Sequence, residues 1–334
     1  MNSNTIAEEH NKGITNMTDR IRIGWLDPSV NSRNTGDQII ADAVSKELAS
    51  ALPNADLVRL PTQTFLTRTE RTLARSCTKF IVGGTNILNG NIPRYIQWKL
   101  DPGTYTAYKR RVSTMGVGWW QYQSNVNPIS RHVWKSLLST GSNSVRDSYT
   151  AKRLGEMGVD AINTSCPTVW QLPASTSFPI EAPDKVLMTI TDYHKNPERD
   201  TRLIRGLQER YNEVWIWPQG SQDREYLMGI DKSIRFIGPE LRDFDDALGS
   251  KDVDYVGTRL HAGIRALQHG VRSTILAIDN RATEISRDIG LPVMSNELTE
   301  ADWRQVESRT PADLKVPHAA IGMWKENLLK WSAN

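Results

Sequence analysis

The stretch Tyr255-Val-Gly-Thr-Arg-Leu-His-Ala-Gly-Ile-Arg-Ala-Leu-Gln-His-Gly-Val-Arg-Ser-Thr-Ile-Leu-Ala-Ile-Asp279 leaves this chain few choices of fold. It reads as a strand, a tight turn, a short helix, a second turn and a second strand, the unit from which α/β layers are built. Arg259 and His261 fall at the first strand-to-helix junction. In an α/β sheet that junction lies at the carboxyl edge, where ligands bind and a helix N-terminus offers free N–H groups to an anion. A guanidinium there grips a carboxylate or phosphate, and an imidazole moves protons near neutral pH. The pair is a candidate active site.

The same alternation runs along most of the chain. Residues 21–26 read as a strand, Asn34-Thr-Gly-Asp37 as a turn, and 38–52 as a helix with Ile39, Ile40, Ala43, Val44 and Leu48 as its apolar residues. Short strands are expected at 57–60, 79–82 and 112–117, the second ending in Gly83-Gly84-Thr85-Asn86 and the third in Gly118-Trp119-Trp120. Residues 142–145 lead through Arg146-Asp147 into a helix over 148–157. After a Pro-, Ser- and Thr-rich linker at 173–183, strands at 185–191 and 213–217 and a helix at 199–211 follow. A last strand at 273–278 runs into Asp279-Asn280-Arg281. The expected architecture is α/β, with two doubly wound Rossmann-like lobes, at 20–172 and 184–317, and a cleft between them. Polar residues 1–19 are expected to form a disordered leader. A terminal helix is expected within 318–334, with Ile321, Trp324, Leu328 and Trp331 at helical spacing. It either packs back across the amino-terminal lobe or makes a dimer contact.

Composition narrows the function classes. Lysine and arginine number 41 against 38 acids, a net charge of only +3, without a long basic run. Nucleic acid is therefore not indicated. Cys77 and Cys166 are far apart and belong to no CxxC, so neither a disulfide framework nor a metal site is expected. Residues 1–20 lack the apolar core of a signal peptide or anchor, and no later apolar run is long enough to span a bilayer. The expected location is the cytoplasm.

Several short motifs occur in a characteristic order. They are Asn34-Thr-Gly-Asp37 before a helix, Gly83-Gly-Thr85 after a short strand, and Ser144-Val-Arg-Asp-Ser148 before a helix ending in Gly158-Val159. Arg259-Leu-His-Ala262 with the following Gly270-Val271, and Asp279-Asn-Arg281, complete the set. Together they resemble the polysaccharide pyruvyl transferase family, from about residue 21 to about residue 292. The resemblance implies a glycosyltransferase-B-like pair of lobes, with the acceptor on the amino-terminal side and the donor on the carboxyl-terminal side. It implies phosphoenolpyruvate as co-substrate, no other cofactor, and a pyruvate ketal across two hydroxyls of a cell-surface or exopolysaccharide glycan. A lipid-linked acceptor at the inner membrane face fits the same scheme. Arg281 stands where many members carry Lys, and Ser165-Cys-Pro-Thr168 where many carry Asp-Pro.

The chemistry selects residue types independently of the family. Adding an alcohol to an enol phosphate needs cations for carboxylate and phosphate, an acid for the methylene carbon and a base for the hydroxyl. His261, Arg259 and Asp37 are the catalytic candidates, and Arg146 and Arg281 are further anion ligands. Gly83 and Gly84 permit close approach of a ligand, and Trp119 and Trp120 offer faces for a sugar ring. The resemblance adds Asn34, Gly36, Thr85 and Leu260. Each has a structural alternative: a core histidine, an Arg259–Asp254 ion pair, an Asp37 that serves the dipole of its helix, tight-turn glycines and core tryptophans. A sugar-nucleotide glycosyltransferase and a non-catalytic glycan-binding protein remain open as competing functions.

Overall fold

The computed structural model describes residues 21–95, 97–138, 140–174, 182–308 and 311–333. The expected leader at 1–19 and residues 175–181 of the expected linker lie outside them. The amino-terminal lobe contains β1 (Arg22–Asp27), α1 (Gly36–Ala51), β2 (Asp56–Pro61), α2 (Arg68–Ser76), β3 (Lys79–Gly83), α3 (Pro102–Tyr108), β4 (Val112–Met115), α4 (Pro128–Leu138), β5 (Ser144–Val145), α5 (Ser148–Gly155) and β6 (Ile162–Asn163). The carboxyl-terminal lobe contains β7 (Lys185–Thr189), α6 (Pro197–Gln208), β8 (Glu213–Ile216), α7 (Asp223–Ile230), β9 (Arg235–Phe236), α8 (Leu241–Gly249), β10 (Asp254–Gly257), α9 (Leu260–Gln268), β11 (Ser273–Leu276), α10 (Asn280–Ile289), β12 (Val293–Met294) and α11 (Glu300–Glu307). The terminal helix α12 (His318–Ala333) completes the chain.

Every strand pairing is parallel, in the orders β2-β1-β3-β4 and β12-β11-β10-β7-β8-β9. β10 and β11 are buried along their whole length, as strands covered by helices on both faces must be. In the first sheet the chain reverses its direction of travel between β1 and β3, and in the second between β7 and β10. Crevices form outside the carboxyl ends of strands at such switch points. The loops after β1, β3, β7 and β10 therefore border the natural ligand-binding position.

The expected last strand is not the last: β12 and α11 follow it. Two residues of strand beside Pro292 carry no readable periodicity. Val117, expected inside a strand, instead makes an isolated parallel bridge to Val145, which links β5 and β6 to the first sheet. Val44 and Ile40 of α1 press against Gly83 and Gly84, where an added Cβ would lie 2.7 and 2.3 Å from them. α12 packs across the amino-terminal lobe: Trp324 Nε1 donates to Ser142 O at 2.8 Å, Lys325 pairs with Glu47 at 2.5 Å, and Lys79 lies 4.9 Å from the Trp331 ring. No helix among the described residues is long and apolar enough to cross a membrane.

Candidate active site

A cleft of about 420 Å³ lies at these two switch points, between the lobes. Arg259 caps α9, directly after β10, and its backbone N–H donates to Thr189 Oγ1 on neighbouring β7 at 3.3 Å. Its Nη2 donates to both carboxylate oxygens of Asp223 at 2.7 Å and approaches Asp192 at 3.4 Å. The expected partner, Asp254, instead binds Arg272 at 2.6 Å and accepts from Tyr211 at 2.9 Å. Arg259 Nε is buried without an acceptor among the described residues.

Arg146, fully buried, enters from the other lobe. It reaches Asp147 at 3.3 Å and Asn86 at 3.1 Å, and its Nη1 has no acceptor among the described residues. Two glycines seat these guanidinium groups: a Cβ on Gly118 would stand 2.0 Å from Arg146 Nη2, and one on Gly220 2.6 Å from Arg259 Nη2. Arg281 is held by Asp279, with contacts of 3.0, 2.9 and 2.5 Å, and by the Tyr193 hydroxyl. Burial works against its charge, but Asp279 more than offsets it and holds the pKa above the ordinary arginine value. The Tyr193 ring lies 5.0 Å from the Arg259 guanidinium and 5.7 Å from that of Arg281. Tyr193 was absent from the sequence-based candidates, and its position shortly after a β-strand was the available signal.

His261, in the first turn of α9, lines the cleft with only 8% of its surface exposed. Its pKa is pushed down to about 3, first by burial and then by the charges of Arg281 and Arg146. Its Nε2 lies 3.6 Å from the sulfur of fully buried Cys166. That sulfur already accepts from the Thr168 hydroxyl at 3.1 Å and from the Thr168 backbone. Either group can donate in the Cys166–His261 contact, according to which ring nitrogen carries the proton.

The low pKa has a consequence for folding. Below pH ~6.5 the unfolded imidazole takes a proton that the folded one refuses, so stability is unaffected above that pH and falls as pH drops from about 6.5 toward 3. Between pH 7 and 4.5 the protein is expected to lose ~2–3 kcal/mol more than His261→Gln in urea denaturation. Parallel losses in the two proteins would show that His261 is protonated normally in the fold.

Asp37, in the first turn of α1, accepts from Ser32 at 2.5 Å, Gln63 at 3.0 Å and Asn34 at 3.3 Å. Burial raises its pKa, against the lowering effect of the Ser32 and Gln63 hydrogen bonds and of Arg281 and Arg259. Asn34 also accepts from Gln219 of the other lobe at 2.7 Å, and Thr35 N–H donates to Gln219 O at 3.0 Å. Gln219 was absent from the sequence-based candidates.

Of the remaining candidates, Gly84, Thr85, Leu260 and Trp120 line the cleft. Gly83 and Gly36 lie beneath it: Gly83 lets α1 approach β3, and Gly36 lets the Gln219 side chain pass, 2.2 Å from where a Cβ would be. Trp119 does not face the cleft. It is fully buried, donating to Gln123 at 2.8 Å, whereas Trp120 stacks on Tyr95 at 3.9 Å. Among the described residues no cluster of three His, Cys, Asp or Glu side chains could hold a metal ion.

Residues 34–280 match the family model for polysaccharide pyruvyl transferase. Solved structures with a similar fold include Methanocaldococcus jannaschii UDP-GlcNAc 2-epimerase in complex with UDP-GlcNAc and UDP (12% identity, TM-score 0.53, covering 95% of this chain and 100% of that one). Another is the S. aureus MnaA–UDP co-structure (12% identity, TM-score 0.51, 93% and 97% covered). These likenesses establish a glycosyltransferase-B-like fold. No curated protein matches the sequence.

Proposed function

Because the chain belongs to the polysaccharide pyruvyl transferase family, we propose that it transfers the pyruvyl group of phosphoenolpyruvate to a glycan as a ketal across two hydroxyls. The observation that carries this reading is the convergence of Arg146, Arg259 and Arg281 on one cleft with His261, two of the arginines each keeping an N–H without an acceptor among the described residues. Such a set suits a small ligand with both a carboxylate and a phosphate.

In the proposed reaction His261 delivers a proton to the methylene carbon, which becomes a methyl group and leaves cationic character on the neighbouring carbon. A sugar hydroxyl forms a C–O bond there and passes its proton to Asp37, whose raised pKa suits a base. A second hydroxyl then attacks the same carbon and passes its proton to His261, which gave up its own in the first step. The C–O bond to phosphate breaks, and its electron pair leaves with phosphate. The arginines hold the donor's charges throughout.

Thermal-shift titration tests the donor: stabilisation by phosphoenolpyruvate and not by nucleotide sugars is expected, with phosphate release on adding a glycan acceptor. Stabilisation by nucleotide sugars alone would favour the glycosyltransferase reading. Gly118→Ala tests the seat of Arg146. Its methyl group would overlap the guanidinium, so phosphoenolpyruvate affinity should drop about tenfold or more for ~1–3 kcal/mol of lost stability. Unchanged affinity would remove Arg146 from the donor site.

A further inference from the structure

Beside the cleft lies a second cavity of about 600 Å³ that shares Gln121, His194 and Asp279 with it. It is walled by the carboxyl ends of β11 and β12, by α10, and by Tyr122 from the opposite lobe. Its size falls within the roughly 300–1,000 Å³ of small-molecule sites. Its charge differs from that of the cleft. No lysine or arginine is among its described lining residues, and its one carboxylate, Asp279, is already paired with Arg281. A phosphate or diphosphate would find no lysine or arginine side chain there to pair with, among the described residues.

Neutral hydrogen-bonding groups and an aromatic face take the place of cations. Asn280 donates to Trp119 O at 3.2 Å, but its buried Oδ1 has no partner among the described residues. Thr283 and Asn296 add uncharged polar groups. The Tyr122 hydroxyl donates to buried Glu284 at 2.5 Å, its ring meets Tyr149 edge-on at 5.2 Å, and 56% of its surface stays exposed. An exposed ring fixed at its edge is a platform for the C–H face of a sugar. Gln121, at the junction of the two cavities, has φ +53°, backbone strain of the kind retained where a side chain must be aimed.

We propose that this cavity, which lies mostly on the carboxyl-terminal lobe that the resemblance assigns to the donor, is a subsite for neutral sugar residues of the acceptor, next to the residue that receives the pyruvyl group. The proposal rests on the donor assignment of the cleft. Calorimetry in the presence of phosphoenolpyruvate tests it, using galactose, glucose and mannose, neutral trisaccharides ending in each, and UDP-glucose. At least one trisaccharide should bind about tenfold or more tightly than its terminal monosaccharide. Tyr122→Ala and Thr283→Arg should each abolish that gain without changing the phosphoenolpyruvate thermal shift. Loss of the gain in Thr283→Arg alone still supports the subsite, should Tyr122→Ala fail to fold. No gain with length, a gain that survives Thr283→Arg, or tighter binding of UDP-glucose than of every trisaccharide overturns it. A missing phosphoenolpyruvate shift counts instead against the donor assignment, and the length dependence is read separately from it.

Discussion

His261→Gln is expected to lower turnover by ~10²-fold or more while phosphoenolpyruvate affinity stays within about tenfold. In the free protein the imidazole is neutral, its pKa pushed down to about 3 by burial and by Arg281 and Arg146. A bound carboxylate and phosphate oppose those two positive charges, so donor binding raises the pKa and the protein takes up a proton as it binds. Glutamine keeps a hydrogen-bonding group of similar size but exchanges no proton near neutrality. Calorimetry in buffers of different ionisation enthalpy should show proton uptake with the wild type and none with the variant. A His261→Gln enzyme with near-normal turnover and unchanged proton uptake would remove His261 from the chemistry.

Arg259→Lys is expected to weaken phosphoenolpyruvate binding by ~30- to 1,000-fold, the equivalent of about 2–4 kcal/mol, with the fold retained. The guanidinium has two tasks, for its Nη2 is committed to Asp223 while its Nε has no acceptor among the described residues. A lysine ammonium can satisfy the buried Asp223 carboxylate, which keeps the lobe folded, but it has no second, fixed donor for a ligand. Equal donor affinity in the folded variant would make Arg259 a structural clasp for Asp223 and nothing more.

Much of the site was legible because strand ends are local features. A short apolar run, a Gly-rich turn and a helix start are written in adjacent residues. In a parallel sheet they place Asn34, Asp37, Gly84, Thr85, Arg146, Arg259, Leu260, His261 and Arg281 around one cleft. The partners of those residues were not legible. Asp223 binds Arg259 from 36 positions away, whereas the acid the sequence offered was the nearby Asp254. Tyr193, 88 positions from Arg281, joins it only because the two loops meet at the cleft. Trp119 and Trp120 are indistinguishable in the sequence, and one is core while the other lines the cleft.

The sequence by itself determined the parallel α/β layers and which side chains stand at their carboxyl edges, since hydrophobic alternation and turn chemistry act over a few residues. The tertiary structure decided which loops meet. Sheet order sets that, placing β10 beside β7 and β1 beside β3, and it arises from burying both faces of each sheet. The low pKa of His261, the paired and free donors of Arg259 and the neutral cavity beside the cationic cleft all follow from that assembly, because each depends on groups brought together from distant parts of the chain.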